Sequence, residues 1–147
     1  MECFKTFRKA PPSQLIMTLL VKNEESMLEE NLLFHKAMGV DSFIITDNNS
    51  TDSTPEIIRK YKQKGWIKEV IEEKATDYEQ KEWVDRMIWK AKTIYKADWI
   101  INADADELWY SPSGNLKTDL SATHANVLNC EMRSVYPEEN RPFWQWD

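Results

Sequence analysis

The stretch that decides the fold reads Ala97-Asp98-Trp99-Ile100-Ile101-Asn102-Ala103-Asp104-Ala105-Asp106-Glu107-Leu108-Trp109-Tyr110. Its first half is a short apolar run of the length that suits a buried strand. Its second half places three carboxylates, Asp104, Asp106 and Glu107, within four positions. Like charges at this spacing repel each other and raise each other's pKa values unless a cation offsets them. The stretch therefore predicts a core strand that ends in a divalent-cation site.

The two aspartates are spaced to act together. If the backbone stays extended through Asp104-Ala105-Asp106, both carboxylates leave the same face of the strand. Two oxygen ligands on one side, with the rest of the coordination shell open, suit Mn²⁺ or Mg²⁺ that also binds phosphates. A plain polar loop after a strand has the same short pattern, so the motif alone is a weak signal. The predicted metal ligands are Asp106 and Asp104.

Size and composition restrict the class of protein. The chain has 147 residues, enough for one domain with its own core, and a net charge of −6 that argues against a nucleic-acid partner. No apolar run is long enough to cross a bilayer, and the first residues do not form a signal peptide. Cys3 and Cys130 lack metal-ligand spacing and are predicted to be free thiols in a reducing compartment. We expect a cytoplasmic protein, with peripheral attachment to a membrane as the alternative.

Upstream of the acidic stretch, apolar runs typical of strands alternate with the periodicity of amphipathic helices. Strands are predicted at 14–21, 43–46, 66–71 and 98–103, and helices at 24–38, 55–65 and 78–95. Such alternation implies parallel pairing through right-handed crossovers, and hence an α/β sandwich with a mostly parallel sheet. Because parallel strands end at one edge, residues 22–24, 47–52 and 104–107 should meet in a single cleft.

The remaining segments carry weaker signals. Residues 1–13 are predicted to be a leader, and residues 14–147 a single domain. Gly39 is expected to end the first helix in the left-handed conformation, and His35 is expected on that helix's surface. Beyond Tyr110 we predict a turn at 111–115, a short edge strand or helical turn at 116–120, a strand at 125–132 and a loop at 136–142.

Three polar motifs follow the first, second and fourth predicted strands: Val21-Lys22-Asn23-Glu24-Glu25, Asp47-Asn48-Asn49-Ser50-Thr51-Asp52-Ser53-Thr54 and Asp104-Ala105-Asp106-Glu107. In this order they resemble the family 2 glycosyltransferases of the GT-A fold, and the Asp-x-Asp-Glu form is closest to the family 92-like group. The resemblance covers about residues 15–110. It implies a GT-A-like α/β/α sandwich with a Rossmann-like nucleotide-binding half. It also implies an enzyme that transfers a sugar, with inversion, from a nucleotide sugar to an acceptor hydroxyl.

The resemblance also implies roles for particular residues. By resemblance to these enzymes, Asp106 is expected to coordinate Mn²⁺ or Mg²⁺ directly, and Asp104 is expected to reach the ribose or a metal-bound water. The nucleoside of a UDP- or GDP-sugar is expected against the first two motifs and the start of the preceding helix, at Lys22, Asn23, Glu24, Asp47 and Gln80, with Asp85 a weaker candidate. Asn48, Ser50 and Asp52 are expected to shape their loop and cap the next helix rather than to bind the donor.

The acceptor side is where the chain departs from the family. An inverting enzyme needs a carboxylate base opposite the leaving group. The weak candidates for this base are Glu107, Glu131, Glu138, Glu139 and Asp147, and Glu107 is equally suited to an ion pair or to supporting the metal ligands. A complete GT-A domain continues well beyond this length, so the acceptor half is predicted to be short or truncated. The acceptor is expected to be a glycan or another hydroxyl compound, as in polysaccharide biosynthesis.

Three other functions remain as alternatives. A donor-binding domain without catalysis would keep the same motifs. A nucleotidyltransferase normally has a Gly-rich basic loop after the first strand, whereas Lys22-Asn23-Glu24 has none. A phospho-receiver domain would need an acidic pair after the first strand and an aspartate after the third, but here the densest acids follow the fourth.

Overall fold

The computed structural model describes residues 13–74, 80–123, 127–128 and 130–134. Strands and helices alternate within these ranges, as the sequence predicted. The elements are β1 (Leu15–Val21), α1 (Leu28–Ala37), β2 (Ser42–Asp47), α2 (Thr54–Gln63), β3 (Ile67–Glu72), α3 (Gln80–Thr93), β4 (Trp99–Asp104) and α4 (Leu116–Ala122). The predicted α/β class is confirmed.

The four strands form one parallel sheet in the order β3-β2-β1-β4. The chain moves outward from β1 through β2 to β3, and then returns to place β4 on the other side of β1. This reversal creates a topological switch point between β1 and β4, as in the doubly wound nucleotide-binding folds. Ligands of such sheets bind in the crevice at the carboxyl ends of these two strands.

Helices cover both faces of the sheet. On one face, buried side chains of β1 such as Met17 and Leu19 share a core with Leu28 and Leu32 of α1. On the other face, Ile16 of β1 packs with residues of α3, including Met87. Because β1 is covered on both sides, its residues form a nearly continuous apolar run instead of an alternating pattern.

The turn after α1 joins this helix to α4. Gly39 has φ +98°, which confirms the predicted left-handed helix end. A Cβ placed on Gly39 would lie 2.7 Å from Asn115 Oδ1. The same oxygen accepts a hydrogen bond from the backbone N–H of Thr118 at 3.0 Å and so caps α4. The space beside Gly39 is therefore taken by a side chain that has another structural role.

We expect Gly39→Ala to lower the free energy of unfolding by about 3 kcal/mol, because a positive φ and a close contact both oppose a side chain there. Gly65 provides the matched control, since it has φ +75° but no atom within 4 Å of an added Cβ. Gly65→Ala should cost only the backbone strain, about 1 kcal/mol. Urea unfolding measures both values. Equal losses in the two variants would show that Asn115 yields without cost.

Several predicted details differ from the structure. Helix α1 begins at Leu28 instead of residue 24, because residues 25–27 form a turn. The segment at 116–120 lies in helix α4, which settles the choice between strand and helix. The strand predicted at 125–132 is wrong where it can be compared, since residues 127, 128 and 130–132 have no strand structure. The greater part of the leader and the loop at 136–142 lie outside the described residues.

Cys130 is exposed and free, whereas Cys3 lies outside the described ranges. In the part of the chain that the structure describes, no helix combines the length and the apolar character needed to span a bilayer.

Candidate functional site

A cleft of about 240 Å³ opens at the switch point between the carboxyl ends of β1 and β4. Its lining contains members of all three polar motifs and comprises Leu20, Val21, Lys22, Glu24, Asn48, Gln80, Asp104, Ala105 and Asp106. The sheet register explains this meeting, because Leu20 lies beside Asp104 and Val21 lies beside Asp47. The three motifs are far apart in sequence, but the parallel sheet brings them to one edge.

The backbone of the Asp104-Ala105-Asp106 motif differs from the expectation. Strand β4 ends at Asp104, and Ala105 and Asp106 lie in a turn, so the assumption of an extended backbone is wrong. The alternation of burial nevertheless continues through the turn, because Ala105 is buried while Asp104 and Asp106 are exposed. Both carboxylates therefore border the cleft, and the methyl group of Ala105 anchors the turn in the core.

Two buried polar side chains of α1 hold the segment that follows β4. The Asn31 amide nitrogen donates to the backbone oxygens of Ala105 and Glu107, both at 2.9 Å. His35 Nε2 accepts a hydrogen bond from the backbone N–H of Trp109 at 2.9 Å. His35 was expected on the helix surface, and this expectation is wrong because its side of α1 faces the segment after β4. The i, i+4 spacing of Asn31 and His35 was the available sequence signal.

The protonation state of His35 follows from its contacts. Because Nε2 accepts a hydrogen bond, the ring proton resides on Nδ1, which lies 2.9 Å from the backbone oxygen of Asn31 and 3.0 Å from its Oδ1. The ring is fully buried, and this burial lowers the pKa of His35 to about 4. The imidazole is therefore neutral at physiological pH.

The cleft concentrates negative charge. Burial raises the pKa of the Glu24 carboxyl, and the neighbouring negative charges of Asp106, Asp52 and Asp104 raise it further. Carboxylate oxygens are the ligands that Mg²⁺ and Mn²⁺ prefer, so this donor set fits such an ion. No three His, Cys, Asp or Glu side chains within the described ranges are arranged to hold a metal by themselves. A site of this kind takes its remaining ligands from water and substrate phosphates.

The loops after β1 and β2 are hydrogen-bonded to each other. The backbone N–H of Asn23 donates to Ser50 Oγ at 2.9 Å, and the Asn23 Oδ1 accepts from the backbone N–H of Thr51 at 2.8 Å. The backbone N–H of Glu25 donates to Asp52 Oδ2 at 3.1 Å. Asn23 thus connects the two loops and does not line the cleft. Asp52 also accepts from the backbone N–H of Thr54 at 3.0 Å, at the start of α2.

At the end of β2, the structure separates Asp47 from Asn48. Asp47 Oδ1 accepts hydrogen bonds from the backbone N–H and the hydroxyl of Ser50, at 3.0 and 2.6 Å, and Asp47 does not line the cleft. Asn48 does line it, although the sequence favoured a loop-shaping role for this residue. Asn48 follows the last residue of β2, so the alternation of side chains along the strand offered no sequence signal that distinguished the two.

The remaining candidates for donor binding and for the catalytic base differ in whether they line the cleft. Gln80 begins α3 and lines the cleft, whereas Asp85 is exposed and lies outside the lining. Glu107 is half-buried, and its backbone N–H donates to the backbone oxygen of Asp104 at 3.1 Å. Glu131 is exposed and forms an ion pair with Arg133 at 3.3 Å. The remaining base candidates lie outside the described residues: Glu138, Glu139 and Asp147.

Comparison with solved structures shows a shared fold. The mannosyltransferase PcManGT from Pyrobaculum calidifontis, in complex with GDP-Man and Mn²⁺, superposes with a TM-score of 0.52 at 18% identity, over 69% of this chain and 30% of that one. TarS from S. aureus superposes with a TM-score of 0.53 at 17% identity, over 74% of this chain and 19% of that one. The chain therefore spans less than a third of the length of either neighbour.

Comparison of sequences adds the family. A search of curated proteins finds no matching sequence. Residues 17–140, which include all three polar motifs and the elements that form the cleft, match the sequence profile of glycosyltransferase family 92. The resemblance of the motifs and the GT-A-like sheet are thus both confirmed, and the chain belongs to glycosyltransferase family 92.

Proposed function

We propose that this chain transfers a sugar from a UDP- or GDP-sugar to the hydroxyl of a glycan or similar acceptor, with inversion at the sugar carbon. The observation that carries the proposal is the cleft at the switch point, where Asp104 and Asp106 border the same space as Lys22 and Gln80. This is the position at which open α/β sheets bind nucleotides. Membership of family 92 supports sugar transfer as the reaction.

In this proposal, Asp106 holds a Mn²⁺ or Mg²⁺ ion directly, and Asp104 holds the donor ribose or a water on that ion. The ion, when bound, stabilises the negative charge that develops on the departing nucleoside diphosphate. Lys22, Gln80 and the amide of Asn48 border the cleft and bind polar groups of the donor. The complex of PcManGT with GDP-Man and Mn²⁺ supports this class of donor and metal.

Residues 14–147 are proposed to form a single domain. Inversion requires a base that removes the proton from the acceptor hydroxyl as that oxygen attacks. The Glu107 carboxylate accepts a hydrogen bond from the backbone N–H of Asp104 at 3.4 Å, which supports a role for Glu107 in holding the turn that carries the two aspartates. Glu131 and Glu138 remain the other proposed candidates for the base.

The proposal is tested by titrating UDP-glucose and GDP-mannose calorimetrically into the wild type, with and without Mn²⁺. We expect binding that needs the metal and that is lost in Asp106→Ala. Asp85→Ala is the matched control, because Asp85 is an exposed carboxylate that does not line the cleft. Its donor affinity should equal that of the wild type.

Each outcome separates the proposal from an alternative. Metal-dependent binding together with slow release of free sugar from the donor supports transfer chemistry. Binding without any turnover supports a donor-binding domain that lacks catalysis. Failure to bind any sugar nucleotide, combined with binding of acetyl phosphate and Mg²⁺, supports a receiver-type domain and contradicts the proposal.

A further inference from the structure

The segment from Ala105 to Trp109 carries Asp106 and is held from α1. Asn31 and His35 pair with three backbone groups of this segment, the oxygens of Ala105 and Glu107 and the N–H of Trp109. These contacts join residues at least 74 positions apart in the chain. The position of the segment therefore depends on α1 as well as on the end of β4.

The two amide contacts of Asn31 bracket the candidate metal ligand. Asp106 lies between Ala105 and Glu107, and the Asn31 amide group holds the backbone oxygen of each. The Ala105 oxygen belongs to the peptide group before Asp106. The peptide group after Asp106 contains the Glu107 N–H, which donates to the backbone oxygen of Asp104 at 3.1 Å. With both peptide groups held, the direction in which the Asp106 side chain leaves the backbone is restricted. The buried methyl group of Ala105 adds a third restraint at the same turn.

The side chains of Asn31 and His35 also orient each other. The protonated Nδ1 of His35 lies 3.0 Å from Asn31 Oδ1, which directs the amide nitrogen of Asn31 towards the segment. The remaining ring nitrogen of His35 accepts the N–H of Trp109. Each polar atom of the pair thus has a defined partner, and the pattern requires an amide and a neutral imidazole in these positions.

Burial makes these hydrogen bonds difficult to replace. Neither Asn31 nor His35 has any solvent exposure, so water does not reach the pair in the folded protein. A buried carbonyl group that loses its hydrogen-bond partner has a high free-energy cost. If Asn31 loses its amide group, the segment lowers this cost by moving towards solvent, and Asp106 moves with it.

We propose that Asn31 and His35 are positioning residues that hold Asp106 in the geometry that binds the metal ion and the donor phosphates. This inference rests on the proposed function. Neither residue lines the cleft, so both act through the backbone on either side of Asp106. The pair links the interior of α1 to the chemistry at the sheet edge.

The test compares Asn31→Leu with Leu32→Ala. Leu32 is the adjacent residue of α1, equally buried, but it packs in the apolar core. Both variants should unfold at lower urea concentrations than the wild type. The Mn²⁺ affinity in the presence of GDP, followed by the electron paramagnetic resonance signal of free Mn²⁺, should fall about 10- to 100-fold in Asn31→Leu and stay within about twofold in Leu32→Ala. Unchanged affinity in Asn31→Leu, or an equal loss in both variants, would overturn the inference.

A second comparison decides the question if Asn31→Leu does not fold. The amide oxygen of His35→Gln is able to accept the Trp109 N–H, whereas His35→Leu has no acceptor. We expect Mn²⁺ affinity close to the wild type in His35→Gln and a tenfold or greater loss in His35→Leu. Equal affinities in these two variants would contradict the positioning role. If the wild type itself does not bind Mn²⁺ with GDP, the proposed function fails, and this result is separate from any difference between variants.

Discussion

Replacing Asp106 by Asn is expected to lower the affinity for Mn²⁺, measured with GDP present, by at least about 100-fold. The same change should leave the metal-free protein as stable as the wild type or more stable. Asp106 contributes to the negative charge that raises the pKa of Glu24, so removing its charge relieves repulsion in the cleft. The Mn²⁺ affinity is therefore expected to fall while the free energy of unfolding stays the same or rises. This is the behaviour of a metal ligand whose charge is repelled by its neighbours when the ion is absent.

The measurements are the resonance signal of free Mn²⁺ and urea unfolding without metal. Asp98→Ala serves as the control at the other end of β4, where Asp98 Oδ2 accepts a hydrogen bond from the backbone N–H of Gln14 at 2.7 Å. This variant should be less stable but should bind Mn²⁺ as the wild type does. If Asp106→Asn resembled Asp98→Ala in both measurements, Asp106 would have a structural role and the metal site would lie elsewhere.

Acidification is expected to reduce the free energy of unfolding by about 3 kcal/mol between pH 7 and pH 4 through His35 alone. Burial lowers the pKa of His35 from 6.5 to about 4 in the folded protein, while the unfolded chain keeps the ordinary value. Between these two values the unfolded state binds the additional proton, so stability rises with pH. The stabilisation is fully present above pH 6.5 and is lost as the pH falls towards 4.

This prediction is checked by urea unfolding at a series of pH values, with His35→Gln as the control. Glutamine does not titrate in this range, so the variant should lose the part of the decrease that His35 causes between pH 6.5 and 4. Carboxylates such as Glu29, whose pKa is lowered by its hydrogen bond from Lys60, cause a decrease that is common to both proteins. The raised pKa of Glu24 acts in the opposite sense, because protonation at low pH removes a repelled charge, and it is common to both proteins. If the two proteins show the same pH dependence, His35 is not buried as a neutral imidazole.

The sequence by itself determined the order of strands and helices and the edge of the sheet at which the polar motifs meet. A continuous apolar run such as 14–21 indicates a strand that is buried on both faces of the sheet. An amphipathic pattern indicates a helix that is buried on one face. Right-handed crossovers between parallel strands then leave few topologies, and all of them bring the strand ends to one edge. The family and the GT-A-like fold followed from motifs at these ends.

Only the tertiary structure decided which polar side chains face the cleft and which support it. Asp47 and Asn48 are adjacent polar residues of the same motif. In the structure, Asp47 accepts hydrogen bonds from Ser50, whereas Asn48 lines the cleft. His35 lies on α1, and the sequence pattern there indicates only an amphipathic helix. Its hydrogen-bond partner, the backbone N–H of Trp109, is 74 positions away in the chain. Local patterns report which stretches bury apolar side chains, because hydrophobic periodicity reflects apolar burial. They do not report which polar side chain is buried against a distant backbone group, because that depends on how separate elements pack together.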